Sequence, residues 1–247
     1  MATFFWERRV PLLEGYGLTE GSPVISINRE HAPKLGTAGQ AIPGVDIRIA
    51  DDGEVLSRGR HIMRGYWNKP EATDEALKDG WLYTGDLGSL DEEGYLTITG
   101  RKKELIVTAG GKNIAPRYIE GLLAADPYIL QAVVCGDRRH YLTALIVPHF
   151  ATLLPALRER GIPAPSPEDV VRRQDVYEFM QERVRSRLAD VADYERVKDF
   201  VLLPEPFSVE NSEITPTMKT RREVILGCHA SEIEALYARG RTRRGVR

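Results

Sequence analysis

Gly100-Arg101-Lys102-Lys103-Glu104-Leu105-Ile106 is the stretch at which the chain changes texture. Behind it the sequence reads as short strands joined by turns. Tyr95-Leu96-Thr97-Ile98 predicts a strand, and the polar run Asp91-Glu92-Glu93-Gly94 predicts the turn before it. Val45, Ile47 and Ile49 alternate with Asp46 and Arg48, which places the apolar side chains on one strand face. Asp52-Gly53 then supplies a turn, since glycine accepts positive φ, and Glu54-Val55-Leu56 returns as the partner strand. A short helix is expected from Pro70, where a missing N–H costs nothing. Ahead of the stretch the periodicity lengthens. Pro116 can open a helix with Ile119, Leu122 and Leu123 at i, i+3 and i+4. The runs Ile129 to Cys135 and Leu142 to Val147 are short and β-branched, and read as buried strands. Ser166 before Pro167-Glu168-Asp169 marks a helix start, with acids at the positive end of the dipole. Val176, Phe179, Met180, Val184 and Leu188 form one helical stripe. Val197 to Leu203 predicts a strand, and a last helix is expected over 221–237. The reading is α+β: a β-rich piece over 1–100 and an α+β piece over 101–247.

Composition narrows the function. Over 247 residues, 42% are apolar and 28% charged, the balance of a globular protein with a core to bury. A net charge of −2 gives no global attraction to nucleic acid or anionic membrane. Two cysteines, Cys135 and Cys228, are too few for a disulfide framework or a zinc cage, and suit a reducing compartment. No apolar run approaches the ~20 residues of a membrane span. Met1 to Arg9 lacks the apolar core and cleavage site of a signal peptide. The closing Arg239, Arg241, Arg243, Arg244 and Arg247 form a basic tail, best explained as a solvated terminus.

Four segments carry side chains suited to nucleotide chemistry. In Glu14-Gly15-Tyr16-Gly17-Leu18-Thr19-Glu20, the glycines let backbone approach a ligand. Tyr16 offers a stacking face, Thr19 a hydroxyl for phosphate, and Glu20 a hard oxygen for Mg²⁺. In Tyr83-Thr84-Gly85-Asp86, a carboxylate behind a turn can accept from both hydroxyls of a ribose. The basic cluster Arg101-Lys102-Lys103, followed by Gly110-Gly111-Lys112-Asn113-Ile114-Ala115-Pro116, can meet phosphates, though it lacks the spacing of a Walker loop. In Ile214-Thr215-Pro216-Thr217-Met218-Lys219, a proline stiffens a loop that carries one lysine. Taken singly, each is better explained by ordinary turns, a core tyrosine and solvated charges.

Their order changes that. Tyr-Gly-Leu-Thr-Glu, Tyr-Thr-Gly-Asp, Gly-Arg-x-Lys-Glu-x-Ile and Thr-Pro-Thr-x-Lys, in this succession, resemble the adenylate-forming acyl-CoA ligases. The resemblance spans nearly the whole chain, including Lys34-Leu35-Gly36-Thr37-Ala38-Gly39 and Met63-Arg64-Gly65-Tyr66-Trp67-Asn68-Lys69-Pro70. Met218 directly before Lys219, where other branches usually place glycine, resembles the long-chain fatty acid type.

The resemblance implies a β-rich remnant of the large N-terminal AMP-binding domain over 1–100. A small C-terminal lid domain would follow over 101–247, with its hinge at Lys103. It implies ATP, Mg²⁺, fatty acid and CoA as reactants, through an acyl-adenylate and then a thioester. By position, Tyr16 stacks on adenine with Gly17 beside it, Thr19 contacts the α-phosphate, and Glu20 holds Mg²⁺. Asp86 holds the ribose, Arg101 lies near it, and Lys219 meets the α-phosphate and the carboxylate being activated. The lid is expected to rotate at Lys103, exchanging Lys219 for a CoA-facing surface near Gly110-Gly111-Lys112. The family's phosphate loop and most of its large domain are not in this sequence. The chain is therefore expected to be inactive alone, or paired with a polypeptide supplying that half. The alternative expectation is a non-catalytic remnant or lid module. A cytoplasmic location is implied, with peripheral membrane contact left open and no nucleic acid partner.

Overall fold

The computed structural model describes residues 2–163, 166–217 and 219–244. The chain divides into two compact units, 1–104 and 105–247. In the first, a short helix α1 (Ala2–Trp6) precedes a small antiparallel sheet of β1 (Gly15–Tyr16), β2 (Ser26–Ile27) and β3 (Gln40–Ala41). A second antiparallel sheet holds β4 (Val45–Ile49), β5 (Glu54–Gly59), a ten-residue β7 (Trp81–Leu90) and two strands on the far side of β7. Those two are β6 (Leu77–Lys78), beside the start of β7, and β8 (Leu96–Arg101), beside its end. Helix α2 (Pro70–Ala76) runs straight into β6. Val55, Leu56, Leu82 and Leu96 are buried, whereas Trp67 is 89% exposed. The break between the units falls after Glu104 rather than at Gly100. Arg101 is paired with Asp86 in the ladder, and Lys102 is bound to the first unit's larger sheet through Asp52 and Glu54.

The second unit opens with a two-stranded ribbon, β9 (Ile106–Val107) and β10 (Asn113–Ile114), and helix α3 (Pro116–Ala124). Its sheet has the order β11 (Ile129–Cys135), β12 (Leu142–Pro148), β13 (Val197–Leu202), the first pair antiparallel and the second parallel. Helices α4 (Phe150–Glu159), α5 (Pro167–Val170) and α6 (Gln174–Arg187) lie between β12 and β13 in the sequence. Every residue of β12 is buried, because both sheet faces are covered. Leu142, Ala144 and Ile146 pack with Ile119, Leu153, Val176 and Met180 on one side. Leu145 and Val147 pack with Phe207, Ile214 and Ile225 on the other. Ser166 caps α5, its Oγ accepting from the Asp169 N–H.

Two local features go beyond the sequence reading. The single helix expected over 221–237 is two, α7 (Arg222–Cys228) and α8 (Ala230–Arg244), separated at His229 (φ −106°, ψ 24°). Gly227 weakens the helix just before the break, where the His229 ring lies 3.5 Å from Glu232 and 3.7 Å from Glu213. Helix α4 falls where the sequence reading placed no element, and Pro155 sits inside it. Leu153 and Leu157 are nevertheless fully buried, and that packing outweighs the one hydrogen bond the proline removes. Met218 and Arg247 lie outside the described residues, as do the side chains of Arg241, Arg243 and Arg244. Among the described residues, no helix is long and apolar enough to cross a membrane.

Candidate functional site

The Tyr-Thr-Gly-Asp motif falls on an irregularity in β7. Leu56 pairs with Tyr83 and Glu54 with Leu87, so Thr84, Gly85 and Asp86 stand opposite Val55 alone. Such a bulge bends the strand and re-aims its side chains. Gly85 takes φ 71°, a value that favours glycine. The Thr84 hydroxyl donates to Val55 O at 2.7 Å and accepts from the Asp86 N–H at 3.1 Å, fixing the kink from within.

Asp86 is thereby buried at 4% exposure, and each carboxylate oxygen has a partner. The Tyr16 hydroxyl donates to Oδ2 at 2.6 Å and Arg101 Nε donates to Oδ1 at 2.7 Å. Three segments far apart in sequence thus meet at one acid. Burial, then the hydrogen bond to Asp86, pushes the Tyr16 phenol well above its ordinary pKa. The hydrogen bond to Asp86 likewise raises Arg101. A carboxylate has about four lone-pair directions, so Asp86 keeps capacity to accept from further hydroxyls.

A second buried acid, which no sequence motif indicates, backs the same bulge. Glu54 is 5% exposed, and its Oε1 accepts from the Gly85 N–H at 2.8 Å. Its Oε2 accepts from Lys102 Nζ at 2.8 Å, and the same ammonium reaches Asp52 at 2.5 Å. Hydrogen bonds to Asp52 and then Glu54 raise the pKa of Lys102, and Lys102 in turn lowers that of Asp52. The position of Glu54 just after a turn gives no local sign that a charge is buried there.

A cleft of about 930 Å³ opens in this unit, walled by Leu18, Glu20, Tyr66, Tyr83, Gly85, Arg101, Lys102 and Lys103 among others. Glu20 sits in the 3₁₀ turn Thr19–Gly21, with Thr19 exposed at its head. The Tyr66 hydroxyl donates to Glu20 Oε1 at 2.8 Å, and that bond raises the Tyr66 pKa. Tyr16 and Asp86 do not line the cleft; Arg101 stands in its wall and holds Asp86. Gly17 has a packing reason of its own, since a Cβ there would fall 1.6 Å from Pro23 O. Among the described residues, no three His, Cys, Asp or Glu side chains gather as a metal site. A lone carboxylate such as Glu20 is unlike a protein-built cage. It fits Mg²⁺, which keeps waters and takes one or two carboxylates plus substrate phosphates.

Lys219 belongs to the second unit. Its loop is a tight hairpin: Ile214 bridges Thr220, the Thr215 N–H donates to Lys219 O at 2.8 Å, and the Lys219 N–H donates to Thr215 Oγ1 at 3.0 Å. The lysine is exposed at the tip. Gly111 (φ 71°) turns the ribbon between β9 and β10, and Lys112 Nζ lies 5.5 Å from the centre of the Tyr194 ring.

Residues 1–67 match the AMP-binding enzyme family and residues 103–241 match the AMP-binding enzyme C-terminal domain. The chain belongs to the AMP-binding enzyme family. It is 43% identical over 240 residues to long-chain-fatty-acid–CoA ligase FadD15 of Mycobacterium bovis, covering 95% of this chain and 39% of that protein. It is 34% identical to long-chain-fatty-acid–CoA ligase heimdall of Drosophila melanogaster, covering 95% of this chain and 41% of that one. The chain thus spans about two fifths of the curated relatives it matches. Among solved structures, the adenylation domain of a carboxylate reductase from Mycobacterium chelonae shares the fold, with a TM-score of 0.74 at 24% identity over 96% of this chain and 36% of that one. The o-succinylbenzoate coenzyme A synthetase of Bacillus subtilis, in complex with ATP and a magnesium ion, aligns with a TM-score of 0.62 at 27% identity, covering 85% of this chain and 42% of that one.

Proposed function

We propose that the chain is the C-terminal portion of an ATP-dependent long-chain fatty acid CoA ligase, with its nucleotide-binding elements in residues 1–104. The observation that carries this reading is the Asp86 centre: a buried carboxylate, re-aimed by a bulge and held by Tyr16 and by Arg101, which itself stands in the wall of a cleft lined by Glu20. Asp86 accepts the ribose hydroxyls, Arg101 flanks them, and Tyr16 with Gly17 faces the adenine. Thr19 meets the α-phosphate, and Glu20 holds Mg²⁺, which offsets phosphate charge.

In the first half-reaction a fatty carboxylate oxygen attacks the α-phosphorus and pyrophosphate leaves. Two anions must approach, so a preorganised cation matters most in the transition state. Lys219 supplies that ammonium. In the second, the CoA thiol attacks the acyl carbonyl, AMP leaves, and the thiol proton passes to water or base. Lys103 serves as the hinge between the half-reactions, and Gly110-Gly111-Lys112 lies on the CoA side. Catalysis needs the portion that relatives carry beyond the matched two fifths, so this chain alone makes no acyl-CoA. That portion comes from the same or a separate polypeptide.

Calorimetric titration of the chain with AMP tests the nucleotide half, with binding expected and its loss expected in Asp86→Ala. Wild-type and variant chains that behave alike toward AMP would reject the site. Stoichiometric AMP and acyl-CoA formed by the chain alone would reject the need for the remaining portion.

A further inference from the structure

Tyr66 is exposed at 39%, so burial of its ring accounts for little of its placement. What it does make is a 2.8 Å hydrogen bond from its hydroxyl to Glu20 Oε1. The segment carrying it is braced twice more. The Met63 N–H donates to Glu20 O at 2.9 Å, tying this loop to the main chain of the same glutamate. The Tyr66 N–H donates to Thr73 Oγ1 at 2.9 Å, and that hydroxyl donates onward to Lys69 O at 2.9 Å at the start of α2. Gly65 lies at φ 149°, and a Cβ there would come within 2.7 Å of Thr73 Cγ2, so the loop approaches the helix too closely for a larger residue. Main chain and side chain of Glu20 are therefore both gripped by one loop that forms part of the cleft wall.

We infer that Tyr66 is a positioning residue for Glu20: its hydroxyl fixes one carboxylate oxygen and leaves Oε2 for the divalent cation carried by ATP. The inference rests on the nucleotide reading above and adds a residue to it. A phenol donor restricts the rotation of the carboxylate, so less freedom is lost when a cation binds.

The test compares wild type, Tyr66→Phe, Glu20→Gln and the double variant by calorimetry with AMP, and with ATP in the presence and absence of Mg²⁺. Bound Mn²⁺ is counted in parallel by electron paramagnetic resonance. Thermal melts check that each variant folds. In Tyr66→Phe, the tightening of ATP by Mg²⁺ and the affinity for Mn²⁺ in the presence of ATP should fall roughly three- to tenfold. AMP binding without metal should stay as in wild type. Glu20→Gln should remove the metal effect and make Tyr66→Phe silent in the double variant. Unchanged metal dependence in Tyr66→Phe, equal losses with and without metal, or an undiminished effect in the Glu20→Gln background would each overturn the inference. Wild type that binds AMP and ATP but gains nothing from metal would overturn it while sparing the nucleotide reading. Wild type that binds neither nucleotide would overturn both.

Discussion

The Asp86 centre and the Lys219 hairpin, proposed above for the ribose and the α-phosphate, are made in opposite ways. Asp86 is buried and meets residues 70 positions earlier and 15 positions later. Lys219 is exposed on a turn closed by its own hydrogen bonds with Thr215, four residues away, and Ile214 before it is tied only as far back as Ser208. A group that must present a fixed acceptor is set by long-range clamps, which cost stability when cut. A group that must reach a charge is carried exposed on a short loop, and truncating it leaves the rest of the fold alone.

The sharpest break of that comparison is Lys219→Ala in a completed enzyme. Adenylate formation should fall by ~10²–10³ or more, as for other preorganised cations. Thioester formation from supplied acyl-adenylate should be largely spared, and urea unfolding should shift by no more than about 0.5 kcal/mol. Equal loss in both half-reactions would reject the assigned role. Next in size is Asp86→Ala, which leaves the Tyr16 hydroxyl and Arg101 without their acceptor. It should lower stability by about 2–3 kcal/mol in urea melts, short of a fully buried ion pair because the Arg101 side chain is half exposed.

Lys102→Met probes the clamp behind the bulge. Glu54 Oε2 would lose its ammonium partner, and about 1–2 kcal/mol should go, with the larger part recovered when Glu54→Gln is added. The Lys102 pKa is raised in the folded chain, so its contribution should be complete below about 10.4 and fade as pH climbs through the higher folded value. The smallest effect tests whether the second unit uses the same device. Asp126 has a fully buried side chain, and although burial opposes its ionisation, hydrogen bonds from Arg183, then the Tyr128 N–H, then Arg187 bring its pKa below the ordinary value. Its contribution is present above pH 3.8 and is lost as pH falls through the lower folded value. Unfolding followed from about pH 5 to about pH 2 should show that loss in wild type and a flatter profile in Arg183→Ala/Arg187→Ala.

Much of the fold could be read from periodicity. The strand Val45–Ile49 and its partner, the helix from Pro70, the two runs that became β11 and β12, and the Ser166 cap all rest on neighbours within a few residues. Helix α4 escaped because Pro155 argues locally against a helix, and only the burial of Leu153 and Leu157 in the core overcomes that local preference. The helix break at His229 escaped because the apolar pattern runs on past it into α8.

For the site, sequence alone determined which side chains are present and in what order, because motif identity and spacing are properties of the chain itself. It placed Tyr16, Glu20, Asp86, Arg101 and Lys219 among the functional candidates. Only the tertiary structure decided that Tyr16 and Arg101 close on the two oxygens of Asp86, that Glu54 and Lys102 brace the bulge, and that Tyr66 grips Glu20. Each of these contacts, Arg101 on Asp86 included, joins residues at least 15 positions apart. A hydrogen bond needs its partners within ~3 Å, a condition that strand register and a bulge can meet and that no local pattern encodes.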